Sequence, residues 1–266
     1  RSIVSHLFPE KVTVWLSSDS IFFIQSGGRK SEANPCVLVM PFDQNESEKS
    51  LDHALLKYKE MHPGAARFSV ILSNAFVHYL LLESQAEIKT LAEERVYVEY
   101  KYREVFDQLS NSLTFSWDTG LNCRSVLSSA TSTHLMTSLK DACKRHGFEI
   151  DSIQPYLMLL FNKVFTKQRD YKRFALIEGG QFIYFDFADG QWGRVHQRYC
   201  PSDLNSQIDV LIQRENLLSN MDLNDSRIFI IAPSKDIQLN NSFGRLLCLT
   251  PEDVLMKNKS YDLTFK

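Results

Sequence analysis

The sequence predicts an α/β protein made of two similarly wound halves, each a mixed sheet flanked by helices. Three observations carry that prediction. Short alternating or wholly apolar runs, separated by turn residues, recur along the 266 residues as strands do. Longer segments with apolar residues at helical spacing lie between them. The order of three meandering strands, a helix and a buried strand occurs twice, with no repeat at the level of residues.

In the first half, Val12-Thr13-Val14-Trp15-Leu16 and Ser20-Ile21-Phe22-Phe23-Ile24 flank the turn Ser17-Ser18-Asp19. Gly27-Gly28 ends that hairpin, and Cys36-Val37-Leu38-Val39-Met40 supplies a third strand. Ser50 reads as the cap of an amphipathic helix with Leu51, Leu55 and Tyr58 inward, ended by His62-Pro63-Gly64. Phe68-Ser69-Val70-Ile71-Leu72 is largely apolar, as a strand covered on both faces is.

The second half begins with Phe174-Ala175-Leu176-Ile177, turns at Gly179-Gly180 and returns through residues 182–187. Asp189-Gly190 favours a further hairpin because both residues tolerate positive φ. Residues 192–199 give the third strand. Ser202 then reads as the cap of a helix with Leu204, Ile208, Leu211 and Ile212 on one face, and Ile228-Phe229-Ile230-Ile231 repeats the buried strand. A helix crossing back over one face makes each late strand parallel to its neighbour.

An insertion separates the halves. Residues 76–82 read as a strand, and Ser84-Gln85-Ala86-Glu87 fits a capping box that opens a long helix. Ile88, Leu91, Val98, Tyr102, Val105 and Leu109 form its stripe, which Arg95 shares by snorkelling along apolar surface. Residues 113–117 and 124–128 suggest a strand pair. A second helix turns Leu135, Leu139, Ala142 and Cys143 inward and ends at Gly147; residues 156–165 form an apolar helix at the junction. These readings put the first lobe at 1–166, with an inserted α+β subdomain at about 76–130, and the second lobe at 167–266.

Composition excludes several classes of function. A net charge of −2 with no concentrated basic face gives no case for nucleic acid. Apolar runs such as 79–82 and 228–232 fall far short of the roughly 20 residues of a membrane-spanning helix, and the first ten residues lack the long apolar core of a secretory signal. The five cysteines are scattered with no C-x-x-C spacing and the seven histidines form no cluster, which predicts reduced thiols in a cytoplasmic chain and no metal site. G-x-S-x-G, G-x-x-x-x-G-K-S/T and H-E-x-x-H are all absent. Asp186 and Asp189 read as carboxylates of a solvated hairpin. The acidic residues of the long helix interleave with Lys and Arg, as on an exposed face.

The passage Leu72-Ser73-Asn74-Ala75-Phe76-Val77-His78-Tyr79 resembles the "LSN, two residues, Val, Arg, Tyr" segment of one branch of the actin-like (ASKHA, RNase H-like) superfamily, with His78 where Arg is usual. That branch is the cytoplasmic actin-like component of type II secretion and type IV pilus assembly, the GspL and PilM families. Glu94-Arg95 to Phe106, the Trp117 strand, Ser152-Ile153-Gln154-Pro155 and Phe161-Asn162 are similar as well, over a span from about Lys11 to Pro233. The resemblance implies a duplicated actin-like fold and a cytoplasmic subunit peripheral to the inner membrane. Its partners would be a motor ATPase and inner-membrane platform proteins, with homo-oligomerisation open. GspL-type proteins carry a membrane helix after this part, so the chain reads as such a cytoplasmic domain or as a PilM-like subunit. The resemblance also nominates Ser73, Asn74, His78 and Arg95 for partner binding, although Ser73 and Asn74 alone read as turn closers.

Nucleotide-using members of the superfamily need two glycine-bearing hairpin turns with an Asp to cradle phosphates and metal, and a Gly-Gly turn beneath adenine. Here the first turn, Ser17-Ser18-Asp19, has no glycine, and the second, Glu178-Gly179-Gly180, has Glu for Asp. The adenosine turn is Ala232-Pro233-Ser234, whose proline lacks an amide hydrogen. The expectation is therefore a non-catalytic scaffold with vestigial phosphate loops and no cofactor. The alternative is a divergent phosphotransferase of the same fold.

Overall fold

The computed structural model describes residues 9–25, 36–117, 125–165, 172–188, 190–200, 204–218, 228–232 and 244–249. Its elements begin with β1 (Glu10–Leu16), β2 (Ser20–Gln25), β3 (Cys36–Pro41), α1 (Ser47–Met61) and β4 (Ala66–Leu72). An inserted run follows: β5 (Val77–Glu83), α2 (Leu91–Phe106), β6 (Leu113–Trp117) and β7 (Ser125–Ser132). Next come α3 (Thr133–His146), β8 (Glu149–Pro155) and α4 (Tyr156–Leu160). The chain then gives β9 (Lys172–Glu178), β10 (Gln181–Ala188), β11 (Gln191–Tyr199), α5 (Leu204–Leu218), β12 (Ile228–Ala232) and β13 (Gly244–Cys248).

The architectural repeat is present in the topology. One five-stranded sheet runs β3-β2-β1-β4-β8 and the other β11-β10-β9-β12-β13. In each, an antiparallel meander is continued by two parallel strands. Both final strands, β8 and β13, are additions to the elements read from sequence. The burial pattern of β8 (eieeiii) is that of a polar edge strand, so its residues carry no apolar signature.

Packing divides the chain into two compact units, Arg1–Val77 with Thr131–Leu159 and His78–Ala130 with Leu160–Lys266. In the first unit α1 packs on α3. Their inward residues Leu51, Ala54, Leu55, Tyr58, Leu135, Leu139, Ala142 and Cys143 are all buried. Phe23, Tyr58, Phe68 and Phe148 interlock beneath them, with ring centroids 4.6–6.1 Å apart. Helix α3 ends where Gly147 takes the left-handed conformation, φ +76, and its amide reaches back to the last turn. Burial pushes the Cys143 thiol up to about 12, which leaves it inert as a nucleophile.

In the second unit α5 lies on the sheet over Ala175, Ile177, Phe182, Tyr184, Ile228 and Ile230, with Ile208 and Ile212 facing them. The inserted run forms its own three-stranded sheet, β5-β7-β6, on which α2 buries Val98 and Tyr102 against Leu82, Leu113 and Ala130.

Several local readings need correction. The capping box is Thr90 with Glu93, not Ser84 with Glu87. Both pairs fit the pattern, but Glu93 also collects the amides of Lys89 and Thr90 at 2.9 and 3.0 Å. Ile88 therefore precedes the helix, and Leu91, Val105 and Leu109 are exposed rather than inward. Ser50 lies inside α1 and accepts the Asp43 amide, while Asp43 caps the short turn before the helix. The helix read over 156–165 is α4 followed by one π turn, Phe161–Phe165. Gly27, Gly28, Arg124, Asp189, Ser202, Pro233 and Ser234 lie outside the described residues.

Candidate functional site

The two hairpin turns that would carry phosphates differ in how their backbones are used. In the first, the Ser17 amide donates to the Ser20 carbonyl at 2.8 Å and closes the turn. The Asp19 carbonyl accepts the Phe42 amide (2.8 Å) and the Ser18 carbonyl accepts the Gln44 side-chain amide (3.0 Å), so the turn is stitched to the segment before α1. The Ser17 hydroxyl donates to the exposed Asp19 carboxylate at 3.1 Å. No residue of this turn has positive φ. An anion nest of successive inward amides needs a left-handed residue, so this turn does not fit a phosphate group.

The second turn is built otherwise. Gly179 and Gly180 have φ of +61 and +71, the two left-handed residues of a type I′ hairpin joining Glu178 to Gln181. The Gly180 carbonyl accepts the Cys200 amide at 2.7 Å, and a Cβ on Gly180 would meet the Tyr199 ring at 3.4 Å. Glu178 is buried. These glycines answer the demands of a tight turn. Of the adenosine turn only Ala232 is described, and its carbonyl accepts the Leu249 amide at 2.9 Å. Among the described residues, no group of three or more His, Cys, Asp or Glu is placed to hold a metal.

The four residues nominated for partner binding fall in two different units, Ser73 and Asn74 in the first, His78 and Arg95 in the second. Ser73 and Asn74 are fully buried in the first unit. The Ser73 hydroxyl accepts the Ala75 amide at 3.1 Å, its amide donates to Leu16, and the Asn74 carbonyl oxygen accepts the Leu157 amide at 3.3 Å. Both side chains fix the sharp turn between β4 and β5 and its link to α4. His78 and Arg95 belong to the second unit. The His78 ring packs against Phe106 at 4.9 Å and its carbonyl accepts the Tyr102 hydroxyl, while burial lowers its pKa. Arg95 does not snorkel. Its Nε lies 3.0 Å from Glu99, one turn along an exposed face.

Sequence reasoning missed the main polar cluster, which lies under α5. Asp186 is buried rather than solvated, and sits across the strands from Arg173 on one side and Arg194 on the other. Arg173 donates to Asn216 at 3.0 Å, and Arg194 reaches the Leu218 carbonyl at 2.8 Å, where a cation complements a helix C-terminus. The fully buried Glu215 takes His196 at 2.7 Å and faces Arg198 at 3.8 Å. Gly193, at the bulge of β11, leaves space that the Asp186 carboxylate fills. A signal was present: Arg194, His196 and Arg198 alternate on one strand face, and Glu215 follows Ile208 and Ile212 on one helix face.

Two sheets of one strand order, each opening with a three-stranded meander, define the actin-like fold. No family model matches the sequence, and no curated protein matches it. Solved structures do. The cytoplasmic domain of EpsL, an inner membrane component of the type II secretion system of Vibrio cholerae, aligns over 92% of this chain and 92% of its own, at 13% identity and a TM-score of 0.54. A chain of the PilM–PilN type IV pilus biogenesis complex aligns over 86% of this chain and 83% of its own, at 10% identity and 0.62. A Bacteroides thetaiotaomicron protein with an actin-like ATPase fold and unknown function covers 93% of this chain and 94% of its own, at 8% identity and 0.58. The fold resembled in sequence is therefore the fold observed. Among the described residues no helix is long and apolar enough to cross a membrane.

Proposed function

We propose that this chain is a non-catalytic adaptor of a secretion or pilus assembly platform, linking a motor ATPase to inner-membrane proteins from the cytoplasmic side. The observation that carries this reading is the first hairpin turn. Its Ser17 amide is spent on Ser20, its Ser18 and Asp19 carbonyls are tied to neighbouring structure, and no residue in it is left-handed. In a superfamily that moves phosphates through that turn, such a chain keeps the frame and gives up the cradle. The likeness to EpsL and PilM, components of a secretion system and a pilus system, supports the assignment of platform. The divergent phosphotransferase is the second reading, favoured by the left-handed Gly179-Gly180 turn.

Titration with Mg-ATP separates the two. A nucleotide at a hundred times its dissociation constant stabilises the folded chain by about 2.7 kcal/mol, readable as a rise in melting temperature. The adaptor reading expects no rise and no phosphate release. A saturable rise with turnover would replace it by the phosphotransferase. Affinity capture from the native cell tests the partners, and recovery of neither an inner-membrane protein nor a motor ATPase counts against the platform.

A further inference from the structure

Helix α2 is apolar on two opposite faces. Val98 and Tyr102 are buried against the inserted sheet, whereas Val96 and Tyr100 are 66% and 59% exposed. Each outward residue precedes an inward one by two positions, about 200° around a helix, so Val96 and Tyr100 point away from the core. With Ala92, Glu93 and Tyr97 they line a shallow hollow of about 530 Å³ that is almost wholly apolar.

The exposed stripe has a regular spacing. Glu93, Val96, Tyr100 and Arg103 follow one another at steps of three, four and three residues, and all four are exposed. That alternation is the period of a coiled-coil seam, in which one stripe of a helix meets the same kind of stripe on another. Lys89 and Asp107 flank the helix at the next step of four on either side.

Each position of the stripe has its complement within the stripe. A twofold axis at the level of Val98 would set two copies of α2 antiparallel. Val96 then faces Tyr100 of the second copy, Glu93 faces Arg103, and Lys89 comes toward Asp107. The charges off the seam are already matched within the helix, Arg95 to Glu99 at 3.0 Å and Lys101 to Glu104 at 2.9 Å. Arg103, in the last turn, has no ion pair among the described residues. Glu93 spends Oε2 on the amides of Lys89 and Thr90, which leaves its other oxygen for a cation.

We propose that the outward face of α2 is the seam of a symmetric homodimer. Two copies pack antiparallel through Val96 and Tyr100, with a Glu93–Arg103 ion pair between chains at each end. Charge complementarity selects this occupant. A helix of another protein would have to supply a basic residue, two apolar residues and an acidic residue in matching order, and a second copy supplies them by symmetry. The seam from Glu93 to Arg103 covers only about 15 Å of helix, so the interface is small and the dimer forms in the range of about 10–100 µM. The dimer does not depend on the adaptor reading, so the Mg-ATP titration and the test below fail separately.

Sedimentation velocity of the full chain between about 5 and about 300 µM reads the association, and a reversible shift from monomer to dimer is expected. Tyr100→Asp and Arg103→Glu should each weaken it at least about ten-fold while leaving the melting temperature unchanged, because both side chains are exposed. Arg95→Glu, off the seam, should leave it as it was. The register is read by mixing. Arg103→Glu sets two carboxylates together at each end and Glu93→Lys sets two cations together, so each variant alone should be monomeric. Their equimolar mixture should form a dimer again, since every charge then faces its opposite. A native chain that stays monomeric at the highest concentration overturns the proposal and leaves the face to a helix of another protein. A dimer that survives both Tyr100→Asp and Arg103→Glu overturns it as well, as does a mixture of the two folded charge variants that fails to pair. Arg103→Glu leaves the capping box intact, so it decides the case even if Glu93→Lys does not fold.

Discussion

On the first sheet, α1 is fastened by rings. Tyr58 stacks on Phe23 at 4.6 Å and meets Phe68 and Phe148 edge-on at 5.7 Å, with charges kept to the rim. On the second sheet, α5 is fastened at its far end by charges: Glu215 to His196 and Arg198, Arg194 to the last helical turn, and Arg173 to Asn216. The same strand order thus accepts two kinds of helix attachment. Rings stabilise by area and packing, and tolerate little loss of volume. Buried ions stabilise little overall but penalise any mispaired arrangement, so they fix how the helix sits more than how strongly it holds.

The comparison breaks first at Phe68. This residue is fully buried and its ring touches Phe23, Tyr58 and Phe148. Phe68→Ala is expected to cost about 3–5 kcal/mol in urea unfolding, through lost transfer energy and the cavity left behind. Glu215→Ala comes next. Removing this buried carboxylate strands His196 and Arg198, but both are a third or more exposed and water compensates them, so about 1–3 kcal/mol is expected. A Glu215→Ala cost above that of Phe68→Ala would reverse the ranking and make the ionic attachment the stronger one.

Much of the frame was legible because hydrophobic period and turn chemistry agreed. The two meanders, α1, α3 and the left-handed Gly147 follow from residues such as Val12, Val14 and Leu16 alternating before a turn. The misses share a cause. Strand β8 is a polar edge whose pairing with β4 is non-local, and Asp186 looked solvated because its burial depends on Arg173 and Arg194, distant in sequence. Of the candidate site, the degenerate turns were readable from missing glycines. It was not readable that α2 leaves Leu91, Val96, Tyr100 and Val105 exposed, since its inward face was read from a helix start that lies elsewhere.

The smallest effect sharpens the contrast from the rim of the first sheet. There Asp52 on α1 takes His146 at 2.9 Å and Arg145 at 3.1 Å from α3, with Glu48 also facing Arg145 at 3.7 Å. The His146 hydrogen bond holds the Asp52 carboxyl below its ordinary pKa; burial opposes it, and the Arg145 hydrogen bond and the charges of both partners add to the lowering. A carboxyl lowered in the folded state contributes stability above its unfolded value, near 3.9, and loses it as pH falls through the folded value. Asp52 is almost half exposed, so the contribution is at most about 1 kcal/mol. Asp52→Asn should therefore be less stable than the native chain by that amount at pH 7, with the difference shrinking as pH drops below about 4. Urea unfolding of both proteins across pH 3–7 reads this directly. A difference that stays constant into acid would mean that α1 and α3 are joined there by packing alone, and the rim would then resemble the ring cluster beneath it rather than the charged attachment of α5.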